Sequence, residues 1–153
     1  MRRSSTATKM SLWSLVLTSA VLLAGCVMDG NTRKEANVAL AGAQEVPPVS
    51  TSARGSGNIT IGNDMSVSGM VTTYGIAGLV AHIHVGAPDA NGPIIIPLTK
   101  TAADVWTVPA GAKLTEAQYE SYKAGNLYVN VHTPAHKGGE IRGQIQRLDW
   151  WRM

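Results

Sequence analysis

Cysteine is nearly absent from this chain: 153 residues contain one, Cys26. A single thiol excludes an intrachain disulfide, so the fold rests on packing, or on packing plus a metal. Long apolar runs are also missing. The longest charge-free apolar stretch, Met10 to Leu23, falls short of the ~20 residues that span a bilayer as a helix. A surviving basic cluster is missing too. Three of the 13 basic residues and none of the 10 acidic ones precede Cys26, which leaves ten of each beyond it. That balance excludes a nucleic-acid backbone as partner. There is no Gly-x-Ser-x-Gly, no phosphate loop and no dinucleotide fingerprint. Asp89 and Asn91 supply too few oxygens for a calcium loop.

What is present begins with the N-terminus. Arg2, Arg3 and Lys9 form a basic region, the apolar stretch follows, and then comes Leu23-Ala24-Gly25-Cys26. This resembles the bacterial lipobox. The resemblance implies cleavage before Cys26, lipid on its thiol and new N-terminus, and a membrane partner reached through that lipid. Residues 1–25 are thus expected to be a lipoprotein signal peptide and 26–36 a lipidated cysteine with a short tether. A domain is expected over 37–148 and a tail over 149–153, the latter carrying Trp150-Trp151. The expected location is the cell envelope, lipid-anchored, periplasmic or at the outer membrane; Val27 in place of an aspartate leans towards the outer membrane.

The 128 residues from Cys26 onward suit one domain with a real core. Gly, Val, Ile and Thr are frequent and turn signals recur at short intervals, the pattern of an all-β antiparallel domain. The expected fold is a small Greek-key sandwich or barrel with one short helix at about 115–124. Strands are expected at Val38–Val46, Gly55–Ile61, Met65–Thr73, Leu79–Val85, Ile94–Leu98, Val105–Val108, Leu127–His132 and Glu140–Gln146. Ile94–Leu98, fully apolar, is expected to be buried on both faces. In Leu79–Val85, the residues Leu79, Ala81, Ile83 and Val85 should face the core. Gly62-Asn63-Asp64 reads as a hairpin turn. The helix has a capping box, Thr115 with Gln118, and a stop at Gly125.

All four histidines lie in two strand-like segments: His82 and His84 in one, His132 and His136 in the other. A His-x-His pair on a strand sends both rings to one face, with Cβ atoms ~6.5–7 Å apart. If the two segments are neighbours, three or four imidazoles converge, and neutral imidazoles suit copper or zinc. His82, His84 and His132 are the candidate ligands, His136 an optional fourth, and Asn130 or Glu140 a candidate to orient a ligand through its second ring nitrogen. The competing reading has structural histidines on a polar sheet face and a protein-interaction or adhesion module with an unnamed protein partner. Glu140 and Arg142 then form a cross-strand ion pair on an exposed face, worth little.

Several ordered motifs carry a resemblance to a known family. They are Leu40-x-Gly42-x-Gln44-Glu45-Val46-Pro47-Pro48, Ala81-His82-Ile83-His84-x-Gly86, Gly125-Asn126-Leu127-Tyr128-Val129-Asn130-Val131-His132, and Gly138-Gly139-Glu140-Ile141-Arg142-Gly143-Gln144-Ile145. From Val38 to Arg147 the chain resembles the CHRD domain, named from chordin and found in exported bacterial proteins. That implies an all-β module and no settled activity; the reading leans away from an enzyme. A weaker similarity links His82, His84, His132 and Arg142 to copper–zinc superoxide dismutases. It implies a copper-dependent oxidoreductase with Arg142 as anion guide. The disulfide cysteines and the zinc loop of that family are missing.

Overall fold

The computed structural model describes residues 34–146, together with Met1. Residues 2–33 and 147–153 lie outside the described residues, and with them the expected signal peptide beyond Met1, Cys26, most of the expected tether and the expected tail.

The elements run β1 (Lys34–Ala41), β2 (Arg54–Ile61), β3 (Val67–Tyr74), β4 (Val80–Val85), β5 (Ile94–Pro97), β6 (Thr99–Ala102), β7 (Val105–Thr107), α1 (Glu116–Lys123), β8 (Leu127–His132) and β9 (Ile141–Gln144). All pairings are antiparallel, in the order β5-β4-β8-β9-β1-β2-β3-β7-β6. The two ends of this order are joined in sequence. Leu98, whose N–H donates to Ala81 O at 2.9 Å, links β5 to β6, so one stretch of chain pairs first with β4 and then, past Leu98, with β7. The sheet thereby nearly closes on itself, and the expected all-β antiparallel barrel with one helix is borne out.

Strand periodicity decides what fills the barrel. Val38 and Leu40 of β1, Ile59 and Ile61 of β2, and Val71 of β3 are buried inside. So are Ala81 and Ile83 of β4, Val129 and Val131 of β8, and Ile141 of β9. Trp106 and Tyr122 are the largest apolar side chains of this interior. Each of the buried Val, Leu and Ile side chains contributes ~1.5–3 kcal/mol on leaving water. The helix forms where expected: Thr115 Oγ1 accepts from Gln118 N–H at 3.3 Å, and Gln118 Oε1 accepts from Thr115 N–H at 2.9 Å. Gly125, at φ +78°, ends it in a conformation that glycine adopts without strain.

Four expectations need correction. β1 begins at Lys34 and stops at Ala41, not at Val46. A 3-10 turn at Gly42–Gln44 follows, because the chain folds back on itself there. Glu45 N–H and Val49 N–H both donate to Gly42 O, and a Cβ at Gly42 would lie 2.3 Å from Val49 O. Leu79 is not core: it precedes β4 at the barrel end and is 61% exposed. Ile94 is 52% exposed, because the closing segment turns only Ile96 and Leu98 inward. β6 was not expected at all. Its four residues are all exposed, so no apolar alternation announced it.

Close strand approach makes one glycine a test of this packing. A Cβ at Gly57 would stand 2.1 Å from Met70 O, whereas one at Gly138 meets nothing within 4 Å. Gly57→Ala is expected to destabilise the domain by about 2 kcal/mol or more in denaturant unfolding, and Gly138→Ala to stay within about 0.5 kcal/mol of wild type.

Candidate metal centre

The register of one strand pair assembles the histidines. β4 and β8 pair with Val80 opposite His132, His82 opposite Asn130 and His84 opposite Tyr128. His82, His84 and His132 therefore share the outer face of the barrel wall, with His132 diagonal to His82. One ring nitrogen from each lies within 4.8 Å of the other two. The shortest of these approaches is His82 Nδ1 to His132 Nε2, 3.1 Å.

Two backbone carbonyls fix the orientation of the rings. His84 Nδ1 lies 3.0 Å from Gly92 O, and His132 Nδ1 lies 2.9 Å from Lys137 O. A carbonyl only accepts, so both Nδ1 atoms carry the proton and both Nε2 atoms keep a lone pair. His132 Nε2 then accepts from His82 Nδ1–H. His84 Nε2 is buried and has no hydrogen-bond partner. The expected orienting groups have other tasks: Asn130 Nδ2 donates to both oxygens of Glu45, and Glu140 accepts from Thr51 Oγ1 and Thr133 Oγ1. Carbonyls of the covering loops serve instead, as they often do behind metal-bound imidazoles.

The His82–His132 pair already has the spacing of two ligands of one metal ion, and a nitrogen of His84 lies within 4.8 Å of both. Zn–N bonds of about 2.0–2.1 Å at tetrahedral angles put neighbouring nitrogens about 3.3–3.4 Å apart. The 3.1 Å separation of His82 Nδ1 and His132 Nε2 is close to that. Protonation is also favourable. Burial first, then the neighbouring His132 and His84, drives His82 down to about 4. Burial likewise lowers His84 and His132, against the opposing pull of their carbonyl bonds. All three rings are neutral at neutral pH, the form that binds copper or zinc.

The outer wall around them is buried rather than an exposed polar face. Tyr128 stacks on His84, rings 9° from parallel and 4.8 Å apart. The Arg142 guanidinium lies 3.5 Å above the Tyr128 ring. Arg142 is 1% exposed and donates to Ala87 O, Asn91 Oδ1 and Gln144 Oε1. The structure gives the placement of this expected anion guide: its guanidinium is buried and stacked on Tyr128, with its donors turned to loop and strand oxygens. It does not form the exposed ion pair with Glu140, whose oxygens go to the two threonines. His136 does not join the other three. It lies in the loop between β8 and β9 and lines a cleft opposite Glu45 to Val49.

Glu45 was missed as a site residue. The alternation around Gln44-Glu45-Val46 read as strand, and nothing local marked the carboxylate as buried. It is 4% exposed, and burial raises it to about 7, against the pull of Arg142 and the bond from Asn130. Two opposite pH dependences follow. His82 titrates well below its ordinary 6.5 in the folded state, so the stability it contributes is full above 6.5 and is lost as pH falls through about 4; burial of His84 and His132 acts in the same direction. Glu45 titrates above its ordinary 4.5, so its contribution is full below 4.5 and is lost as pH rises through about 7. Glu45→Gln, which keeps a group that can bond Asn130, is expected to raise the melting temperature relative to wild type at pH 8 by a few degrees and to change it little at pH 4.5. A gain confined to the acid side would contradict a carboxyl raised by burial.

The model of the CHRD domain matches residues 36–145. No curated protein and no solved structure matches the chain. The match covers all nine strands except the first two residues of β1, and it includes His82, His84, His132 and Glu45. The chain belongs to the CHRD domain family.

Proposed function

We propose that this domain binds one copper or zinc ion through His82 Nδ1, His84 Nε2 and His132 Nε2, as part of an exported protein anchored at the cell envelope by lipid on Cys26. The observation that carries the metal reading is the convergence of three rings with lone pairs on His84 Nε2 and His132 Nε2. His82 Nδ1, which carries the proton of the His82–His132 bond in the free protein, becomes the third donor when that proton passes through solvent to its own Nε2. Three ring nitrogens lie within 4.8 Å of one another, and two of the rings are locked by carbonyls into the tautomer that aims Nε2 inward. A purely structural role explains the His82–His132 bond but leaves His84 Nε2 buried and unpaired, which costs ~1–3 kcal/mol. A metal ion removes that cost. Three neutral ligands leave a fourth position for water or an exogenous ligand, as in metal sites that exchange ligands. The position of Arg142 gives no support to a dismutase reading, so metal binding or storage is the function favoured.

The protein purified without a histidine tag is expected to take up one equivalent of Cu(II) or Zn(II) by metal analysis and titration calorimetry. His82→Ala/His84→Ala should abolish that uptake. No stoichiometric uptake, or uptake unchanged in the double variant, overturns the reading.

The anchor is supported by the basic and apolar stretches ahead of Leu23-Ala24-Gly25-Cys26. Mass spectrometry of the mature N-terminus is expected to find an acylated Cys26, and Cys26→Ala to abolish the acylation. An N-terminus with an unmodified Cys26 contradicts it.

A further inference from the structure

A second site lies beside the histidines. A cleft of about 340 Å³ opens between the segment Glu45 to Val49 and the loop that carries His136 and Gly139. Val46, Pro47, Pro48 and Val49 give one wall a largely apolar surface. Its polar lining is Glu45, whose carboxylate is bonded by Asn130, together with Asn91, His136 and Lys137. Gly139, on the cleft wall, lies directly against the Glu45–Asn130 pair: a Cβ there would be 2.6 Å from Asn130 Oδ1 and 2.7 Å from Glu45 Oε1.

This polar pair is short of donors. Both carboxylate oxygens accept from the same atom, Asn130 Nδ2, at 2.9 and 3.0 Å. Asn130 Oδ1 is buried with no hydrogen-bond partner, in a side chain belonging to a residue 2% exposed. No cation lies within 4.0 Å of Glu45: among the described residues the ion pair formed is that of Lys123 with Glu120. Arg142 attracts Glu45 from a distance but spends its donors on Ala87 O, Asn91 Oδ1 and Gln144 Oε1. Of these acceptors Asn130 Oδ1 is the one left without a partner, while the two Glu45 oxygens share a single donor and have no cation against them, an arrangement that buried polar groups normally avoid. What the pair lacks is a donor with several N–H groups and a positive charge. What the wall offers beside it is an apolar surface for a short stem. A cleft of this size suits a small molecule.

We propose that the cleft is a binding site for a small primary amine, its ammonium group donating to Glu45 with its hydrocarbon stem against Pro47 and Pro48. The charge-assisted bond supplies the orientation and the diproline wall the contact area. The site does not depend on whether the histidines hold a metal.

The test is a ¹⁵N-resolved NMR titration of the metal-free protein at pH 8 with n-butylammonium chloride. n-Butanol, the same stem without the charge, and sodium chloride serve as controls. Saturable shifts are expected at Val49, Gly138 and Gly139 with a Kd of about 1–10 mM, and at least a tenfold weaker response to butanol. Glu45→Gln, its fold checked in the same spectra, should weaken butylammonium binding by about tenfold or more. Absence of saturable shifts up to 100-fold above that Kd range, an equal response to butanol, or undiminished binding by Glu45→Gln overturns the proposal. The butanol comparison uses wild-type protein alone, so it stands whether or not the variant folds.

Discussion

The antiparallel ladder between β4 and β8 is the constraint on which the site depends. Its register places Val80 against His132 and His82 against Asn130. A slip of one residue in either strand would turn that strand's histidines into the barrel and its core residues outward. The register is held from inside. Ala81 and Ile83 of β4, and Leu127, Val129 and Val131 of β8, are all fully buried, so the apolar interior that closes the barrel also sets the position of every imidazole outside it. The same ladder continues to β9, where Asn130 meets Arg142, and on to β1, where Arg142 meets Ala41. Glu45 therefore arrives above Asn130 because the chain leaving β1 folds back at Gly42.

The outer wall of the barrel is then a second, polar interior. Its contents are neutral rings, one guanidinium stacked on Tyr128, one carboxyl and one amide, roofed by the segments that follow β1, β4 and β8. The roof also acts on the rings. Gly92 O and Lys137 O hold the protons of His84 and His132 away from the centre, leaving Nε2 free. Gly92 is tied down in turn: its N–H donates to Tyr128 Oη, and a Cβ there would lie 1.6 Å from Val85 O. Loops this closely packed hold the three rings in place, and preorganisation of that kind lowers the entropic cost of binding a ligand.

Much of this was legible in the sequence because it is periodic or local. The period-2 pattern of His82-Ile83-His84 and of Tyr128 to His132 gave both the strands and the shared face. The capping box at Thr115 and Gln118 gave the helix. What could not be read depends on contacts distant in sequence. Glu45 is buried by Asn130, 85 residues away. Thr51 and Thr133 take Glu140 from the ion pair that strand alternation suggested. Backbone carbonyls orient two histidines, and no side-chain pattern encodes a carbonyl's direction. Arg142 looked like an exposed charge, yet lies over the aromatic ring of the adjacent strand. Polar alternation marks a face as not belonging to the core, but says nothing about whether loops will cover it.

The central claim is that two rings are locked with Nδ1 protonated so that three specified nitrogens meet at one ion. Long-range ¹H–¹⁵N spectroscopy of the imidazoles, recorded before and after one equivalent of Zn(II), tests it most directly. The account predicts Nδ1–H tautomers for His84 and His132 without metal. On addition, their Nε2 resonances and that of His82 Nδ1 should shift together, leaving His136 unchanged. Nε2–H tautomers in the free protein, or zinc leaving these three nitrogens where they were, would contradict it.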